Sequence, residues 1–102
     1  MPEQIVVLLT LKDSADPEEF ENFVREHDYP IAKSQPGVID YVLTRIGRPL
    51  TGAQAPAAEY LEVLVVEDAD RYEAEMSDEF KQHLAVWAEY VDEYRGAVGT
   101  VI

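Results

Sequence analysis

The order strand, helix, strand, strand, helix, strand predicts an α+β fold, and three observations carry that reading. Short apolar runs rich in β-branched residues alternate with amphipathic stretches that open on acidic caps. The two halves mirror each other: "LTLKDSADPEEFENF" and "VLVVEDADRYEAEM" both run from a strand through an acidic cap into a helix carrying aromatics. A chain of 102 residues makes one domain, 1–102, large enough for a single two-layer core and too small for a second. Together these predict a ferredoxin-like split βαβ protomer, a four-stranded antiparallel sheet with two helices on one face.

Each element has its own signal. "QIVVLLTLK", Gln4 to Lys12, is a β-branched apolar run bounded by "DSADP", which argues for a strand. A helix start follows, with Asp16 as cap, Pro17 at the first position and Glu19 three residues after the cap. Pro30 disfavours helical geometry at Tyr29, so this helix is expected to end or kink near His27, leaving Asp28 free to cap a turn. "VIDYVLTRIG", Val38 to Gly47, is the second strand, and "GRPLTGAQAP" is a loop because its prolines and glycines cannot sustain a ladder. The third strand is "AEYLEVLVV", Ala58 to Val66. From Asp68 a second helical region begins, with Asp70 and Glu73 in capping-box spacing. Ser77 resets it before "KQHLAVWAEYVDEY", and a short last strand spans roughly Ala97 to Ile102.

The strands raise a difficulty. A sheet covered on one face should alternate apolar with polar residues. In the first strand, however, Val6 and Leu8 oppose Ile5, Val7, Leu9 and Leu11. In the third, Tyr60, Leu64 and Val66 oppose Leu61, Val63 and Val65, with Glu62 as the polar exception. Both faces call for burial, and a second copy stacked sheet on sheet is the simplest cover, which predicts a homodimer through the open sheet face.

Composition excludes several classes. A net charge of −13, from 21 acids against 8 bases, repels phosphate backbones and anionic headgroups, so neither nucleic acid nor membrane is an expected partner. The absence of cysteine removes disulfides and thiolate metal sites, and no metal site is expected. No basic and apolar leader precedes the first strand and no apolar segment reaches spanning length, which with the lack of cysteine makes the expected location cytoplasmic. No glycine-rich phosphate loop or serine elbow is present, so hydrolase and nucleotide-dependent readings have no local support and no cofactor is expected. Glu18, Glu19 and Glu21 read as helix-dipole partners and solvated surface.

What remains is a wall of aromatics and two histidines. On a helical wheel Phe20, Val24, His27 and Ile31 share a narrow arc with Phe23 beside it, so His27 is expected to face the sheet. In the second helix Tyr72, Met76, Phe80, His83, Trp87, Tyr90, Val91 and Tyr94 fall in one broad arc, facing the same layer. Tyr41 and Arg45 are expected from the floor of the sheet. A mostly apolar wall with a few convergent donors is what a small-molecule cavity requires, and imidazole and phenol suit proton transfer to an enolisable or phenolic substrate. His27 and His83 are thus the candidate catalytic residues, His27 foremost as general acid or base. His83 and Tyr41 would orient the ligand, with Phe23, Phe80 and Trp87 as apolar walls. A packed core histidine and an ordinary aromatic core are the structural alternatives.

Over almost its whole length, "IVVLLTLKDSADPEEFENFVREHDYPIAKSQPGVIDYVLTRIGRPLTG" followed by "AEYLEVLVVEDADRYEAEMSDEFKQHLAVWAEYVD", the chain resembles the dimeric α+β barrel superfamily. The likeness is closest to the REDY-like (HapK-type) proteins of prodiginine-type pigment pathways, near the EthD-like group. The acidic-His helix end, the proline and "PGV" into a strand carry it in combination. The resemblance implies a protomer that dimerises through its sheet, a pocket between sheet and helices, and an accessory role in secondary-metabolite biosynthesis on an apolar or aromatic metabolite. Cofactor-independent cyclase or monooxygenase chemistry is among the activities it implies. Plant polyketide cyclases of the superfamily carry His-Pro-x-His where this chain has Ser77, Asp78, Glu79 and Phe80, so their catalytic histidine is replaced by Phe80. Haem-degrading members carry a histidine comparable to His83 in "FKQH", but their first-strand asparagine and second-helix tryptophan have no counterparts. A non-catalytic ligand carrier or dimerisation module, and more weakly a haem-binding monooxygenase, stay open as alternatives.

Overall fold

A computed structural model describes all residues, Met1–Ile102. Its elements are β1 (Glu3–Leu11), α1 (Pro17–Phe23), a π-helical turn (Val24–Asp28), α2 (Tyr29–Lys33), β2 (Val38–Arg45), β3 (Tyr60–Val66), α3 (Ala69–Ala74), α4 (Asp78–Tyr90) and β4 (Val91–Thr100). The four strands form one antiparallel sheet in the order β2-β3-β1-β4. This is the ferredoxin-like arrangement, an α+β fold with the helices against one face.

The caps are local and legible. Asp16 accepts from the Glu18 amide with Pro17 at the first helical position. Ser77 accepts from the Phe80 amide at the start of α4. The short α3 is capped by Asp68, whose carboxylate accepts from the Arg71 amide, rather than by Asp70.

Two boundaries differ from expectation. Of the end or kink expected near His27, no end occurs: the helix is distorted there into the π turn, in which the Tyr29 amide reaches back five residues to the Val24 carbonyl, and then continues to Lys33. Pro30 lacks the amide that an unbroken helix would need, and a widened turn accommodates the proline without ending the helix. At the other end α4 stops at Tyr90, and the last strand starts at Val91 instead of Ala97. Val91 takes extended geometry, and pairing with β1 runs from Val91 opposite Leu11 to Thr100 opposite Glu3. Gly96 lets this strand lie close, because a Cβ there would meet the Val6 carbonyl oxygen at 3.3 Å.

The strand register sorts the side chains. Ile5, Val7, Leu9 and Leu11 of β1 lie on the helix face with Tyr60, Glu62, Leu64 and Val66 of β3, and Tyr41, Leu43 and Arg45 of β2. Packed on them are two clusters. One joins Phe20, Val24, Leu9, Leu11, Tyr60 and Val91, with the Phe20 and Tyr60 rings edge to face at 5.2 Å. The other joins Ala32, Tyr41, Leu64, Val66, Ala69, Tyr72 and Phe80. Only 15 of the 102 residues are buried, and β4 beyond Val91 is exposed throughout, so a single copy leaves much of its sheet uncovered.

Candidate functional site

The π turn decides which side chain enters the site. In an unbroken helix the inward stripe after Val24 would pass through His27 and Ile31. The observed stripe is Phe20, Val24, Asp28 and Ala32, all buried, at a constant spacing of four. A widened turn absorbs the extra residue, so the register slips by one and Asp28 replaces His27. His27 is therefore turned outward, its side chain 65% exposed with Glu26 at 4.0 Å. The expectation that His27 faces the sheet is corrected, and Asp28 is a buried acceptor, not a free cap.

Asp28 has two partners from two other elements. The Tyr41 hydroxyl of β2 donates to its Oδ2 at 2.5 Å, and His83 Nε2 of α4 lies 2.6 Å from its Oδ1. An ionised carboxylate only accepts, so the imidazole N–H is the donor in the second bond. The His83 ring is held between two phenyl rings, Phe23 at 5.1 Å and 11° on one side and Phe80 at 6.0 Å and 12° on the other. Side-chain exposure is 4% for Asp28 and 9% for His83, so both bonds form away from bulk water, where they are strongest.

Across the cavity from α2, Glu62 accepts the indole N–H of Trp87 at 3.0 Å. Burial, reinforced by the charge of Asp28, pushes the Glu62 carboxyl up to about 7, and the Trp87 bond offsets only part of this. Burial also pushes the Tyr41 phenol far above its ordinary range, with the Glu62 and Asp28 charges adding to it. Tyr72 is raised as well, by burial first and then by the charges of Asp28, Glu62 and Glu73. Tyr41 is therefore a neutral hydrogen-bond donor under ordinary conditions. Glu62 is the carboxyl of this wall that burial raises toward neutrality.

These residues border a cavity of about 450 Å³ between sheet and helices, a volume suited to a small organic molecule. Its wall is mostly apolar, with Ile5 and Val7 from β1, Leu64 from β3, and Met76, Phe80 and Leu84 from α4 and the segment before it. Asp28, Tyr41, Glu62, Tyr72, Glu73 and Trp87 supply its polar atoms. Tyr94 also lines it, from β4 rather than from the helix expected to carry it. No three His, Asp or Glu side chains converge to hold a metal ion.

Of the candidates named from sequence, Tyr41, Phe80 and Trp87 line this cavity, and His83 backs it through Asp28. Phe23 does not reach it. That ring stacks on His83, and Phe23, His27 and the outer side of His83 line a separate outer groove. Arg45 is likewise elsewhere. Its guanidinium pairs with Glu21, Nε to Oε2 at 2.8 Å, while the Tyr60 hydroxyl donates to the same carboxylate at 2.7 Å. Those bonds from Arg45 and then Tyr60 hold Glu21 down at about 2, so Glu21 is a structural ion-pair member, not solvated surface. Asp28 and Glu62 are the site residues that sequence reasoning missed. A lone acid inside an otherwise apolar strand was the available signal for Glu62.

Comparison with known proteins agrees with this architecture. The family model described as REDY-like protein HapK matches residues 3–102. No curated protein sequence matches the chain significantly. Among solved structures, HapK from Hahella chejuensis is 24% identical with a TM-score of 0.78, over 98% of this chain and 92% of that one. SnoaB from Streptomyces nogalater, a cofactor-independent oxygenase, is 19% identical with a TM-score of 0.75, over 99% and 93%. An ethyl tert-butyl ether d (ethd) family protein from Bacillus halodurans is 17% identical with a TM-score of 0.74, over 100% of both chains.

Proposed function

The chain belongs to the REDY-like HapK family, and we propose that it binds an apolar or aromatic metabolite between sheet and helices as an accessory enzyme of secondary-metabolite biosynthesis, of the prodiginine-like pigment type that its resemblance implies. The observation that carries this reading is the pair of carboxyls in the wall of a mostly apolar cavity, Asp28 bound to His83 and Tyr41, and Glu62 beside Tyr41 and bound to Trp87. A purely structural core has no use for two carboxyls in the wall of a void, since each costs free energy to desolvate.

The set can hold and move a proton. Asp28 fixes the direction of the Tyr41 hydroxyl, so the phenol presents its oxygen to a bound molecule in one orientation. His83 and Asp28 form a pair able to carry a proton between them, and Glu62 can take one up or release it near neutral pH. His-assisted proton transfer is therefore assigned to His83, with Tyr41 positioning and Glu62 as the second acid-base group. The protein works as a homodimer: Val6, Leu8, Leu61, Val63 and Val65 alternate with the cavity-facing residues and form an apolar outer sheet face.

Native mass spectrometry of protein purified from its own cells tests the reading. The expected result is a dimer mass with a retained small molecule that survives His27→Ala and disappears in Ala32→Phe, which fills the cavity. Ligand-free protein whose Trp87 fluorescence no naphthalene-sized probe quenches would contradict it.

A further inference from the structure

The polar part of the cavity wall is acidic. Asp28, Glu62 and Glu73 border it, and no lysine, arginine or histidine does. All eight Lys and Arg residues of the chain lie on the exposed surface. The two inner carboxyls also differ in what serves them. Asp28 already accepts from Tyr41 and His83. Glu62 has the indole N–H of Trp87 on one oxygen and the Tyr41 phenol nearby, but no cation.

We propose that this cavity selects organic cations, molecules with an apolar or aromatic body and one protonated amine nitrogen that sits against Glu62 beside the Trp87 and Tyr72 rings; this rests on the cavity being the ligand site. An ammonium entering an apolar wall loses its hydration, and an ionised carboxylate at contact distance restores much of that loss. Aromatic faces add a further attraction of quadrupole origin. A neutral ligand of the same shape gains only the apolar contact. A carboxylate ligand would meet three acids and no cationic side chain in the wall, against the field of a chain carrying −13. The raised titration of Glu62 fits this vacancy in the charge balance, because a carboxyl lacking a counterion keeps its proton longer.

Calorimetry with three probes that share one ring body tests the selectivity: 1-naphthylmethylamine, 1-naphthylmethanol and 1-naphthoate. At pH 8 the amine is expected to bind roughly tenfold tighter or more than the alcohol, and the naphthoate weakest. In Glu62→Gln, with its fold checked by circular dichroism, the amine should fall to the level of the alcohol measured on the same variant. Between pH 6 and 8 the amine should gain affinity on the wild-type protein as Glu62 ionises, and the alcohol should not. Asp28, Tyr41, Tyr72, Glu73 and Tyr94 border the same space, with His83 behind Asp28, and all of them remain in Glu62→Gln, so loss of the pH effect there assigns it to Glu62. Equal binding of amine and alcohol, tighter binding of the naphthoate, or an amine preference that persists in Glu62→Gln would overturn the inference while leaving the ligand site standing. Failure of all three probes to bind would overturn the ligand site and the inference together.

Discussion

Asp28 holds Tyr41 of the sheet and His83 of the last helix at once, so its removal strands two buried polar groups. Asp28→Ala is expected to lower stability by about 3 kcal/mol, measured by urea denaturation, whereas His27→Ala should change it by less than about 0.5 kcal/mol because that ring is exposed. Glu62 governs pH dependence. A carboxyl raised from its ordinary 4.5 to about 7 binds its proton more tightly in the folded state, so its contribution is whole below about 4.5 and is lost as pH rises through about 7. Unfolding free energy should therefore fall between pH 5 and 8 by on the order of 2 kcal/mol, and Glu62→Gln should remove that slope. Glu21 acts in the opposite sense: held at about 2, it contributes above 4.5 and its contribution is lost as pH falls toward 2. Phe80 and Trp87 were legible as wall residues because helical spacing displays them, whereas Phe23 lies outside the cavity and Tyr94 enters it from β4. The identity of the inward polar group was not, since it turns on a single widened turn.

At the scale of elements, the caps at Asp16 and Ser77 could be read from sequence because they depend on residues within a few positions of each other. The π turn depends on where Pro30 falls within a helix that packing onto the sheet keeps intact, with the Tyr29 hydroxyl tied to the Leu43 amide at 2.9 Å. The end of α4 is likewise set from outside: β1 offers a full edge to pair with, and Val91 to Thr100 take it although "VDEY" continues the helical period of aromatics. Ser77→Ala should cost about 1 kcal/mol in thermal or urea unfolding, since it removes the acceptor for the Phe80 amide in the turn that seats Phe80 beneath His83.

For the whole molecule, the strands are apolar on both faces, as their sequence indicates, and the helices of this chain cover only one of them. Val63 sits opposite Val6 at the middle of the open face. If the proposed homodimer forms through this face, wild type is expected to sediment as a dimer and Val63→Lys as a monomer, with the helix-side cavity intact. No helix is long and apolar enough to cross a membrane.

Trp87, the only tryptophan of the chain, borders the proposed ligand cavity together with Asp28, Tyr41 and Glu62, so a ligand bound there should alter its emission. Titration of the protein with 1-naphthylmethylamine, followed by Trp87 fluorescence in wild type, His27→Ala and Asp28→Asn, tests that site most directly. Saturable quenching that is unchanged by His27→Ala and weakened at least several-fold by Asp28→Asn is the predicted result. Quenching lost with His27→Ala and retained with Asp28→Asn would place the ligand in the outer groove and contradict the account.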